Sequence, residues 1–132
     1  MLQELGRFEE AEGSYRQAIK LKADVAESHY NLGFVLQERG RLREAEASYR
    51  QAIELKANYP EAHSNLGNTL QELGRLEEAE ENGNKATRLN PDFAEAHSNL
   101  GNTLKELGRL KEAEASYTQA IKLKSDVAEV HY

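Results

Sequence analysis

Apolar and polar positions follow a helical period along this chain, and the whole pattern returns every 34 residues. Counting Ala26, Pro60 and Ala94 each as position 1, positions 3, 7, 10 or 11 and 14 are mostly apolar. Positions 2, 5, 6, 9, 12 and 13 are mostly polar and fall on another stripe of the same helix. Gly40, Gly74 and Gly108 then supply the left-handed residue that ends this first helix, and Leu42, Leu76 and Leu110 open a second one. Asp24, Asn58, Asp92 and Asp126 each precede a glutamate by three residues, which predicts a capping box at the start of each first helix.

Side-chain size follows the same period. Gly33, Gly67 and Gly101 (position 8), Ala11, Ala45, Ala79 and Ala113 (position 20) and Ala18, Ala52, Ala86 and Ala120 (position 27) are notches where helices approach closely. Leu32, Leu66 and Leu100, with Leu36, Leu70 and Leu104, are the knobs that fill the spaces between them. Gly6 belongs to the series of Gly40, and the segments 61–74 and 95–108 differ only at Gln71 against Lys105.

A 34-residue helix-turn-helix unit with Leu-Gly in its first helix and a small alanine in its second resembles the tetratricopeptide repeat, and the resemblance covers the whole chain. It implies an all-α fold, a right-handed superhelical solenoid of antiparallel helix-turn-helix repeats. The array 1–132 divides into a partial repeat 1–25, repeats 26–59, 60–93 and 94–127, and a partial helix 128–132.

Composition narrows the function. Charged residues make up 30% of the chain and apolar ones 39%, with six tyrosines and three phenylalanines as the only aromatics, which suits thin stacked layers. A net charge of −6 disfavours nucleic acid. The absence of cysteine removes disulfides and thiolate zinc sites. No apolar run reaches membrane-spanning length and residues 1–12 lack the features of a secretory signal, which points to a soluble, cytoplasmic chain that does not use a membrane. His29, His63, His97 and His131 fall one per layer, so they read as interlayer packing and not as a metal site. Glu44, Glu46, Glu77, Glu78, Glu80 and Glu81 on second helices read as a solvated face. With no nucleophile constellation, phosphate loop or cofactor motif, the chain is expected to be no enzyme and to need no cofactor.

In the family that the repeat resembles, first helices line a concave groove for an extended peptide or a partner helix. This implies a protein or peptide partner held by Asn31, Asn65 and Asn99 (position 6), by Asn68 and Asn102 (position 9), by Tyr30, Ser64 and Ser98 (position 5), and by Gln37, Gln71 and Lys105 (position 12). An amide both donates and accepts, so a ladder of asparagines can pair with a partner's peptide groups whatever its side chains. First helices roughly 8 to 10 Å apart would meet an extended chain, rising about 3.3 Å per residue, at every third residue. The ladder is similar to that in the arrays of O-linked N-acetylglucosamine transferases, which implies substrate targeting for a larger enzyme; none of that enzyme's catalytic part is in this chain. The co-chaperone subset, which grips a carboxylate with basic residues, is a poor match, because Glu27, Glu61 and Glu95 occupy position 2. A neutral or basic segment suits the groove better. Tyr30 and Phe34, one turn apart, form a candidate aromatic anchor.

Two irregularities stand out. Gly83 replaces the tyrosine found at Tyr15, Tyr49 and Tyr117, which predicts a weak layer that Gly83→Tyr would strengthen. The ends carry no polar capping helix. A fragment of a longer array, or a scaffold that self-assembles head to tail as a homo-oligomer, would account for them.

Overall fold

The computed structural model describes residues 2–130 along the backbone and 6–126 with their side chains. The described residues form seven helices: α1 (Leu2–Leu21), α2 (Ala26–Glu38), α3 (Leu42–Leu55), α4 (Pro60–Glu72), α5 (Leu76–Leu89), α6 (Ala94–Glu106) and α7 (Leu110–Val130). Each helix packs on the next, and α4 also touches both α2 and α6, as expected of a solenoid in which α2, α4 and α6 lie side by side.

The turns inside the hairpins are written by glycine. Gly40, Gly74 and Gly108 have φ of 77°, 81° and 82°. After α2 the Gly40 N–H donates to Gln37 O and the Arg41 N–H to Leu36 O, both at 2.9 Å, which is the Schellman arrangement. The same pair of bonds follows α4 and α6. A residue with a Cβ would be strained at these positions.

The helix starts differ from expectation. The N-cap residues of α2, α4 and α6 are Val25, Tyr59 and Phe93, none with a side-chain cap bond, so Asp24, Asn58 and Asp92 sit one residue outside their helices. The buried side chain of Tyr59, 6% exposed, anchors the start of α4 through packing, and Pro60 presets the first helical φ. At α4 tertiary packing thus stands where local capping was expected. At the ends, α1 runs straight through Gly6 and α7 runs straight through Asp126, so neither forms a turn. The short helix expected at 128–132 is therefore continuous with α7 as far as Val130.

Small-to-large packing holds where a tyrosine is present. A Cβ at Gly33 would lie 2.8 Å from the Tyr49 ring, and one at Gly101 would lie 2.8 Å from the Tyr117 ring. Tyr49, 0% exposed, joins Leu32, Leu36 and Ala45 to Leu66, Leu70 and Ala79 in one cluster. Leu100, Leu104 and Ala113 form a separate cluster with Tyr117 beside it.

Candidate protein-interaction face

Helices α2, α4 and α6 place the position-6 amides in a row, each half-buried. The row is stitched to its neighbours. Asn65 Nδ2 donates to Tyr30 Oη at 3.0 Å and Asn99 Nδ2 donates to Ser64 Oγ at 3.0 Å, so each amide bonds across to the preceding first helix. A primary amide has two N–H groups and an acceptor oxygen. One N–H of Asn65 and one of Asn99 are thus committed to the fold.

Two turns further along, a second polar line crosses the same helices. Gln37 Oε1 accepts from Tyr49 Oη at 2.7 Å, while Gln37 Nε2 reaches Glu72 Oε1 at 3.4 Å. Gln71 Nε2 donates to Glu106 Oε1 at 3.0 Å and Thr103 Oγ1 donates to Gln71 Oε1 at 3.4 Å. Lys105, at the equivalent position of α6, is exposed. Asn68 is half-buried with Nδ2 3.5 Å from Glu72 Oε1, and Asn102 is exposed with Oδ1 accepting from the Tyr117 hydroxyl.

Not every candidate reaches the surface. Ser64 is 1% exposed and its hydroxyl serves Asn99, so it supports a rung and cannot touch a partner directly; Ser98 is half-buried. Tyr30 and Phe34 have different surroundings. The Tyr30 ring packs against Tyr49 and Tyr59, with centroids 5.8 and 5.2 Å away, whereas Phe34 stays 43% exposed. Burial raises the Tyr30 hydroxyl above the usual phenol range, and the carboxylates of Glu61 and Glu95 add to this against the opposing bond from Asn65. Burial likewise raises Tyr49, with Tyr30, Glu38 and Glu72 contributing. The first helices therefore surround these phenols with negative charge.

The carboxylates of the second helices are organised in a way the sequence reading missed. Arg75 Nη1 holds Glu46 at 2.7 Å across the repeat boundary while its Nε and Nη2 hold Glu78 at 3.0 and 2.9 Å. Arg109 does the same with Glu80 and Glu112, and Arg41 with Glu12 and Glu44. The signal was present: arginine recurs 34 residues apart at 41, 75 and 109, beside glutamates of the same period. Glu12, 8% exposed, is held below the usual carboxylate range: burial opposes its ionisation, and the Arg16 and Arg39 bonds with the Arg41 charge outweigh it.

The histidines differ among themselves. His29 Nε2 pairs with Ala23 O and His97 Nε2 with Pro91 O, both at 2.8 Å. His63 is instead 7% exposed, its Nδ1 3.1 Å from Asn82 Oδ1 and its buried Nε2 without a hydrogen-bond partner. His131 lies outside the described residues. Among the described residues no cluster of His, Asp and Glu is arranged to hold a metal ion, and no helix is long and apolar enough to cross a membrane.

Stacked antiparallel helix pairs with paired first helices define a helical-hairpin solenoid, a class whose members generally mediate contacts between proteins. The family model described as TPR repeat matches residues 1–38, 36–74 and 67–108, and the one described as tetratricopeptide repeat matches 94–127. The chain belongs to the tetratricopeptide-repeat family. No curated protein matches it. Among solved structures it is similar to a crystal structure of MamA, with a TM-score of 0.84 at 24% identity over 96% of this chain and 74% of that one. It is also similar to MamA from Desulfovibrio magneticus RS-1, with a TM-score of 0.83 at 22% identity over 95% of this chain and 71% of that one. A third likeness is to PilF of Pseudomonas aeruginosa, with a TM-score of 0.82 at 24% identity over 92% of this chain and 55% of that one. At these identities the likeness is one of fold.

Proposed function

We propose that the chain is a peptide-binding module whose first helices α2, α4 and α6 hold an extended segment of another protein. The observation that carries this reading is the row Asn31, Asn65 and Asn99, half-buried and one per first helix, with Asn65 and Asn99 each anchored to the fold by an amide N–H. Affinity from such a row depends on the partner's backbone, while Phe34 and Lys105 bias which side chains are accepted. Substrate targeting for a transferase is one use of a groove of this kind, and that narrower resemblance rests on the asparagines alone.

Replacing Asn31, Asn65 and Asn99 together by Ala tests the reading. Loss of the two interhelical bonds costs stability by about 1 kcal/mol each, so binding is measured well below the melting temperature by capture of peptides from an unstructured library. Affinity is expected to fall for every captured peptide; unchanged affinity in the folded variant would refute the ladder.

A second reading, head-to-tail self-assembly, is favoured by one contrast. Ile53 packs into the core under α4, whereas Ile121, its counterpart on α7, is 65% exposed. Light scattering over a concentration series separates the two, since Ile121→Lys should abolish any assembly and leave peptide capture intact.

A further inference from the structure

Charge is distributed unequally over the two sides of the array. The first helices α2, α4 and α6 carry six glutamates and a single lysine, and the chain as a whole is −6. On the second helices Glu44, Glu46, Glu78, Glu80 and Glu112 are each held by arginine. On the first helices Glu27, Glu61 and Glu95 are all exposed; Glu27 has Lys56 3.4 Å away, and Glu61 and Glu95 have no ion-pair partner among the described residues. For Glu61 the reason is local, since Asn90 stands where Lys56 follows α3; Lys124 stands at the equivalent place for Glu95 and makes no ion pair with it.

These three glutamates stand four residues before Asn31, Asn65 and Asn99, so each lies one turn from an amide rung on the same helix stripe. Resting on the groove reading above, we infer that the groove selects a basic segment, with Lys or Arg at every third residue of a chain laid across the amide rungs. A polyproline-type extended chain has three residues per turn and advances about 3.1 Å per residue, so one turn spans about 9 Å. Helices α4 and α6 pack directly on each other, and packed helices lie roughly 8 to 10 Å apart. Side chains three residues apart then point to the same side of the segment, where two of them meet Glu61 and Glu95 on the neighbouring helices α4 and α6. The backbone groups of the same turn meet the amide.

The arrangement requires spacing as well as charge, and this separates it from general attraction to an acidic protein. The test uses labelled peptides of about twelve residues, four turns of such a chain, built on Ala and Ser. One has Lys at every third position, one has the same lysines in a single block, one has Gln and one has Glu in place of the spaced lysines. Fluorescence anisotropy at low salt is expected to give the spaced-lysine peptide an affinity about tenfold above the Gln peptide and several-fold above the block, with the Glu peptide weakest. The preference should shrink in about 0.5 M salt. Glu61→Gln with Glu95→Gln changes exposed side chains only, so the helix content stays fixed by circular dichroism. That variant is expected to lose the spaced-lysine advantage and keep its affinity for the Gln peptide.

Equal binding of spaced and blocked lysines, or an unaltered preference in the double variant, overturns the inference. Binding of all four peptides alike overturns it too while leaving the groove reading in place. No binding of any of them removes both.

Discussion

The joint between α3 and α4 and the joint between α5 and α6 are copies of one design, and they are packed differently. In the first, Tyr49 lies over Gly33, donates to Gln37, and reaches Leu66 and Leu70 on the next first helix, so one cluster spans both layers. In the second, Gly83 stands where the ring would be. A Cβ there would fall 2.9 Å from Leu100 Cδ1 and 3.4 Å from Leu100 Cβ, because Leu100 leans into the space. The core is split at this point, and α6 packs directly on α4 more extensively than α4 packs on α2. One side chain per repeat therefore decides whether neighbouring first helices are wedged apart by a ring or rest on each other. Since those helices form the binding face, the spacing of the rungs at Asn31, Asn65 and Asn99 is set from behind, by the second helices.

The largest expected effect comes from turning the first joint into the second. Tyr49→Ala removes a fully buried aromatic and its bond to Gln37, which should cost about 3 to 5 kcal/mol in urea unfolding. Tyr117→Ala removes a ring that is only partly covered and should cost less. Equal losses at the two sites would mean that Tyr49 does not bridge layers.

The converse substitution sharpens the comparison. Sequence reasoning expects Gly83→Tyr to fill a void; the structure places Leu100 there. Overpacking of this kind typically costs about 1 to 3 kcal/mol, so Gly83→Tyr should lower the melting temperature, and adding Leu100→Ala should recover part of the loss. A melting temperature raised by Gly83→Tyr alone would show that Leu100 swings away freely and that the joint is loose.

These two joints also show what could be read in advance. The period, the hairpins and the glycine turns were legible because each rests on local chemistry repeated three times, as at Gly40, Gly74 and Gly108. The amide row was legible for the same reason. Three features were not. The helices α2, α4 and α6 start after Val25, Tyr59 and Phe93 with no side-chain cap bond, and Tyr59 is buried there. The Tyr30 ring packs on Tyr49 and Tyr59, which are distant in sequence. The accommodation of Gly83 depends on a rotamer of Leu100, and no periodicity encodes a rotamer.

The smallest expected effect concerns pH and the same altered segment. Asn82, next to Gly83, replaces the serine found at Ser14, Ser48 and Ser116, and its amide Nδ2 donates to Glu78 O at 3.0 Å, which turns Oδ1 toward His63. The ring is thereby drawn inward. Burial lowers the His63 pKa below the usual value of 6.5 and the Lys85 charge adds to this, while the Asn82 bond and the nearby Ala57 carbonyl oppose it. Arg50 and Glu54 from α3 and Glu81 and Arg88 from α5 also line the clefts beside the ring. A base whose pKa is depressed by folding binds more protons in the unfolded chain, so stability rises with pH between the two values. The contribution of His63 should be complete above about pH 6.5 and should decline as the pH falls below it, well before the carboxylates protonate. Urea unfolding between neutral and mildly acid pH is expected to show this slope in the native chain and to lose it in His63→Leu, whatever that variant's absolute stability. A slope that persists in His63→Leu would assign the titration to another group and leave the inward turn of His63 without energetic consequence.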